Sequence, residues 1–220
     1  MYRMLFEKKA NSVWISHLDL MRVFQRAFMR AGLSLTHTQG FNPRPSVSIA
    51  LPLSVGAESC CELLDFDLEN DNVSCDYIRE ALNKALIEGV RVLDVYSNGK
   101  KLKELAYLRC AIVLEYDKLI SADARTQICE LFHREEVMVP KKTKNNGIQD
   151  QNIIPMIKEF RVCDVQDGKI RLEALVCCQN PSLNPMQIVS AVELHIPQLK
   201  PDYSSFQRLE IYDQNMNVFR

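Results

Sequence analysis

Three arginines at helical spacing, Arg22, Arg26 and Arg30, are the strongest chemical signal in the sequence. Each guanidinium is a planar, donor-only fork that can grip phosphate or carboxylate oxygens two at a time. Asp19, three residues before Arg22, is the one acid on the stripe. The stripe therefore reads either as a solvated helix face held by Asp19–Arg22 pairing or as a grip for an anionic partner. His17 opens the same segment. An imidazole there can exchange a proton near neutral pH or bind a ligand, but helical projection sets it beside Met21, Phe24 and Phe28, which equally suits a packed or capping residue.

The run Gln39-Gly40-Phe41-Asn42-Pro43-Arg44-Pro45-Ser46 is the most informative loop. Gly40 permits positive φ, Asn42-Pro43 favours a turn and Pro45 stiffens the exit, so the loop loses little entropy in holding one shape. Phe41 offers a stacking surface, Asn42 an amide and Arg44 a charged fork, a set suited to a nucleotide base and its phosphate. A rigid crossover with Phe41 tucked into the core is the alternative. A second basic run, PKKTKNNG at 140–147, brings Lys141, Lys142 and Lys144 to a loop or hairpin tip. Solvated lysine runs are common, so alone it is a weak nucleic-acid signal. Glu62, Asp65, Asp67, Glu69 and Asp71 have ligands for Mg²⁺, but their alternation favours a solvated strand face. His37, His133 and His195 lack a nearby carboxylate or cysteine pattern and read as structural or surface residues. No Ser-His-Asp order, Walker loop or dinucleotide glycine fingerprint occurs.

The elements that must position these groups follow from periodicity. Tyr2, Met4 and Phe6 alternate with charged neighbours as in a half-buried strand. Ser16-His-Leu-Asp19 reads as a capping box opening a helix that Gly32 closes, with Leu20, Phe24, Ala27, Phe28 and Ala31 on one packed face. Strands are expected at 33–38, around 46–53 and 61–68, then a helix at 75–87 and a strand at 90–96. After the polar stretch 97–104 the order begins again: a strand, a helix from Ser121, a strand at 137–140, two runs joined at Asp167-Gly168, a helix opened by Asn184-Pro185, and a last strand at 206–212. Each half reads strand, helix, three strands, helix, strand. The expectation is an α+β chain of two tandem ferredoxin-like (βαββαβ-type) units, each with an extra strand, at 1–98 and 105–220.

Composition bounds the class. The 220 residues are 47% hydrophobic and 25% charged, an ordinary globular balance. A net charge of −1 excludes the globally basic profile of a dedicated nucleic-acid binder. The total hides a split: residues 1–56 carry +5 and residues 57–99 carry −7. No run approaches a membrane span of ~20 apolar residues, and MYRMLFEKK has charges where a signal peptide needs an apolar core. A cytoplasmic protein without a membrane partner is expected. The eight cysteines lie in strand-like or helix-like runs and lack a C-x-x-C, which favours reduced thiols over a disulfide framework or a metal site.

Residues 6–65 resemble the radical-SAM-associated family of bacterial proteins, a domain of unknown function. The resemblance rests on Ser16-His17-Leu18-Asp19, the spaced Arg22, Arg26 and Arg30, Gly40-Phe-Asn-Pro-Arg-Pro45, and Leu53 to Gly56. It departs after the basic loop, where Asn152-Ile-Ile-Pro155 replaces an expected Asp-x-Arg-Pro. The resemblance implies an accessory protein of a radical SAM enzyme, acting on tRNA or rRNA. This chain lacks the cluster cysteines, so the iron-sulfur cluster, SAM and any cobalamin would belong to the partner and none to this chain. Gln39, Gly40, Phe41, Asn42 and the four arginines Arg22, Arg26, Arg30 and Arg44 would then hold RNA, with Lys141, Lys142 and Lys144 adding charge. His17 and Asp19 would order the site. Two alternatives remain: a stand-alone RNA-processing or RNA-modifying enzyme with His17 as acid/base, and a protein scaffold docking an acidic partner. The oligomeric state is left open.

Overall fold

The computed structural model describes residues 1–70, 72–142 and 147–220. The chain forms two compact units, Met1–Glu104 with Phe219–Arg220, and Leu105–Val218.

In the first unit β1 (Tyr2–Lys8) leads through a 3₁₀ turn (Ala10–Trp14) to α1 (His17–Arg30). Then come β2 (Val47–Ala50), β3 (Ala57–Phe66), α2 (Cys75–Ala85) and β4 (Val90–Ser97). The sheet order is β4-β1-β3-β2, with every neighbouring pair antiparallel. The helix face expected from spacing is the one that packs: Leu20, Phe24, Ala27 and Phe28 are buried against Met4, Phe6, Leu64 and Phe66. Phe6 meets Phe24 edge to face at 4.8 Å, and Phe28 sits 4.9 Å from Phe66. Beside this core Arg3 is 3% exposed and holds Asp65, its register partner on β3, through two bonds of 2.5 and 2.9 Å. A third nitrogen of Arg3 donates to the Lys100 carbonyl at 2.7 Å, and its guanidinium lies 5.5 Å from the ring of Phe219. Phe219 is wholly buried.

The second unit runs β5 (Leu105–Glu115), α3 (Ala124–Phe132), β6 (Met138–Lys142), β7 (Ile148–Asn152), β8 (Ile157–Gln166), β9 (Lys169–Cys177), α4 (Met186–His195) and β10 (Tyr203–Asp213). Its main sheet is β10-β5-β9-β8, again antiparallel, and β6 and β7 pair apart from it. Asp167 and Gly168, both at positive φ, close the β8–β9 hairpin at the predicted dipeptide. The Asn184 side chain accepts from the Met186 amide at 3.1 Å and starts α4.

Two expectations are corrected. Residues 33–38 do not form a strand; they make isolated bridges, Leu35 to Leu68 and His37 to Pro45. Nor do the acids from Glu62 to Glu69 share one solvated face, although Glu69 is exposed. Glu62 is buried at 1% exposure, Asp65 is taken by Arg3, and Asp67 pairs with the terminal amine of Met1. Asp71 lies outside the described residues. In the position of the missing Asp-x-Arg-Pro, the Asn152 side-chain oxygen Oδ1 accepts from the amides of Val137 and Ile154. Among the described residues no helix is long and apolar enough to cross a membrane, and no three His, Cys, Asp or Glu side chains gather as a metal site.

Candidate functional site

The first unit places most of the singled-out residues along α1 and at its two ends. At the N-terminal end, the Ser16 hydroxyl accepts from the Asp19 amide at 3.2 Å, as a cap must. The Asp19 carboxylate does not return the bond to the backbone. It accepts instead from the Ser16 hydroxyl at 2.7 Å and from Arg22 at 2.8 Å. Those two donors, Ser16 first, hold the Asp19 carboxyl below the usual carboxylate range. His17 is half-buried, and its Nδ1 is enclosed without a hydrogen-bond partner among the described residues.

The three arginines stand on the face opposite Phe24 and Phe28 but are not equivalent. Arg22 is exposed and engaged with Asp19. Arg30 donates to the carbonyl of Ala85 at 2.6 Å, a cation at the negative end of α2. It also lines a shallow groove of about 390 Å³ with Tyr77, Glu80 and Lys84. Arg26 is exposed and has no partner among the described residues.

Beyond the C-terminal end of α1, Leu35 bridges to Leu68 and the chain runs into the Gln39–Ser46 loop. Its neck is closed by two bonds: the Thr38 amide to the Arg44 carbonyl at 2.8 Å, and the Arg44 amide to the Thr38 hydroxyl at 3.0 Å. Gly40, at φ +137°, makes the turn in space that is open around it. Gln39, Gly40, Phe41, Asn42 and Arg44 are all exposed, Phe41 completely at 106%. The alternative of a core-packed Phe41 is thus not realised. The Arg44 guanidinium has no partner among the described residues.

The structure brings Phe41, Asn42 and Arg44 together on one pinned tip, and Ser16, Asp19 and Arg22 together at one cap. It does not bring those groups to each other: a helix of 14 residues puts its ends about 20 Å apart at ~1.5 Å per residue. His17 is therefore not beside the loop. In the second unit Lys141 is exposed on β6, Lys142 is the last residue of that strand, and Lys144 lies outside the described residues.

One residue escaped the sequence reading. Trp14, 61% exposed, precedes the α1 cap on a segment anchored by Lys8. Lys8 is 2% exposed, and its ammonium donates to the carbonyls of Val13 and Ile15, each at 3.1 Å. Burial pushes the Lys8 pKa down, with the charge of Glu62 opposing the shift. The available signal was composition: Trp14 is the single tryptophan of the chain.

The folded chain is an α+β protein of two antiparallel-sheet units with an exposed, partly unpaired cationic helix face. Its fold is similar to that of a chain in a crystal structure of a Cbf5-Nop10-Gar1 complex, at 8% identity and a TM-score of 0.51, over 96% of this chain and 48% of that one. It is also similar to a chain in an H/ACA RNP bound to a substrate RNA containing 2′-deoxyuridine, at 8% identity and a TM-score of 0.49, over 94% of this chain and 46% of that one. The chain thus spans about half the length of these two solved chains. Residues 1–185 match the family described as uncharacterized protein conserved in bacteria (DUF2344), and the chain belongs to that family. No curated protein matches it.

Proposed function

We propose that this chain is a cytoplasmic RNA-binding accessory protein, serving a radical SAM enzyme in the modification or processing of tRNA or rRNA. The observation that carries the RNA reading is the pinned tip: a fully exposed Phe41 beside Asn42 and an unpaired Arg44. An exposed aromatic on a rigid loop with a free cation at its neck is a base-stacking and phosphate-holding set. Arg26 extends the cationic surface along α1, and Arg22 and Arg30 can add to it by exchanging their present partners. The radical SAM partner is supported by the resemblance of the Ser16–Asp19 and Gly40–Pro45 motifs. In this proposal the partner holds the iron-sulfur cluster, SAM and any cobalamin. The element and strand orders, β4-β1-β3-β2 and β10-β5-β9-β8, support a ferredoxin-like type for both units, the second carrying an inserted β6–β7 hairpin in place of one extra strand.

The test is binding of tRNA and rRNA fragments by the full chain across a salt series. Counterion release predicts that affinity falls steeply with salt, and that Arg26→Ala weakens binding and lowers the slope by about 0.7, one phosphate contact on a single strand. Affinity indifferent to salt and to Arg26→Ala would overturn the RNA reading. Purification from native cells without a radical SAM protein would overturn the partner.

A further inference from the structure

We infer that Trp14 is a second stacking platform for an unpaired RNA base, at the end of α1 opposite to Phe41. This rests on the RNA-binding reading above and adds to it both the strandedness of the RNA and the span of the site.

The segment that carries Trp14 is fixed from several directions. The buried Lys8 ammonium bonds the carbonyls on either side of it, those of Val13 and Ile15. The Val13 carbonyl also takes the Gly56 amide at 2.9 Å. The Ser12 hydroxyl lies 2.7 Å from the Lys9 carbonyl and 2.9 Å from that of Gly89. Sinking a lysine into the interior is costly, and here its bonds hold an indole that stays outside. Part of the six-membered ring rests over Gly56, where a Cβ would meet Cζ3 at 3.3 Å. The remainder faces solvent, although an indole ordinarily buries most of its area. A ring already held in place loses little freedom when a second ring covers it.

The occupant follows from what lies between the two aromatics. The outward face of α1 carries Arg22 and the unpaired Arg26, so a polyanion lying along the helix would meet cations between its two stacking points. In a duplex both faces of each base are covered by neighbours, whereas single strands and loops offer free faces to any aromatic. The ends of α1 are about 20 Å apart, with Trp14 before the helix and Phe41 after it, so a strand that reaches both must span at least that distance. The inferred ligand is a single-stranded RNA segment long enough to do so.

Because Trp14 is the single tryptophan of the chain, its emission reports this platform alone. The full chain is titrated with a mixed-sequence single-stranded RNA of about ten nucleotides and with the same sequence as a duplex, with affinity read independently by anisotropy of an end-labelled RNA. Single-stranded RNA should quench Trp14 saturably, with the same midpoint as the anisotropy, and the duplex should not. Trp14→Ala should weaken single-strand binding roughly tenfold, and Trp14→Phe should keep most of it. Salt-dependent, Arg26-dependent binding that leaves Trp14 emission unchanged would overturn the platform and leave the RNA reading standing. Equal quenching by the duplex would overturn the unpaired-base assignment. If no RNA binds at all, the RNA reading itself falls. The wild-type emission decides the matter even if Trp14→Ala fails to fold.

Discussion

Arg3 and Asp65 should behave as a coupled interior pair whose separation unfolds the first unit. Arg3 is 3% exposed and Asp65 14%, and the guanidinium spends all three nitrogens, two on the carboxylate and one on the Lys100 carbonyl. The hydrogen bond that Arg3 donates to Asp65 raises the Arg3 pKa further, so the guanidinium stays cationic throughout the working range. Arg3→Met keeps an apolar stem beside Phe219 but leaves the Asp65 carboxylate largely buried and uncompensated, which costs about 3–5 kcal/mol. Replacing both partners, Arg3→Met with Asp65→Leu, removes the orphaned charge and should cost less than Arg3→Met alone. The coupling energy of the cycle should then reach about 1–3 kcal/mol. Urea unfolding followed by Trp14 emission reads the first unit specifically, since the only tryptophan lies in it. Additive single and double changes, or an Arg3→Met cost below about 1 kcal/mol, would show that the pair acts as a surface ion pair and refute the reasoning.

Thr38→Val removes the acceptor for the Arg44 amide at the neck of the loop. One hydrogen bond is worth about 1 kcal/mol, so RNA affinity should fall up to roughly tenfold with little change in urea midpoint; unchanged affinity would mean the loop does not need its neck. A second expectation concerns alkaline pH. Burial pushes the Cys110 and Cys178 thiols from an ordinary 9.0 up to about 12. Between those values the unfolded thiols are ionised while the folded ones keep their protons, so the folded state binds more protons and stability falls as pH rises. The Tyr96 and Tyr116 hydroxyls, pushed from 10.0 to about 12, add to the fall. Urea midpoints should decline above about pH 9, and Cys110→Ala should show a shallower decline than wild type.

The parts of the fold legible in the sequence were those set by local rules. β1 and the packed face of α1 announce themselves by period, because one side of each is buried and the other is not. Asp167-Gly168 marks its hairpin because both residues must take positive φ. Alternation fails on β3, where Cys61, Glu62, Leu63 and Leu64 are buried in succession, so the pattern no longer distinguishes a wet face. The 33–38 segment has strand-like residues, yet it gains only bridges to Leu68 and Pro45, and tertiary pairing decided against its propensity. In the candidate site, each motif was visible but its neighbours were not. His17 and the Phe41 tip are near in sequence and separated by the length of the helix between them. Trp14 was invisible because its presentation depends on Lys8 and Gly56, contacts that no local spacing encodes.

The placement of Phe219 bears on how the protein is made. This residue is buried with Arg3 in the first unit, yet it follows the entire second unit in the chain. During synthesis β1 emerges before Phe219 and must wait for the ring that covers its arginine until residues 105–218 have been translated. The first unit is therefore discontinuous, and the second is an insertion within it. Cleavage within 97–104 would cut the covalent path from Arg3 to its own aromatic lid, so the two units should mature in nested order, the inner before the outer.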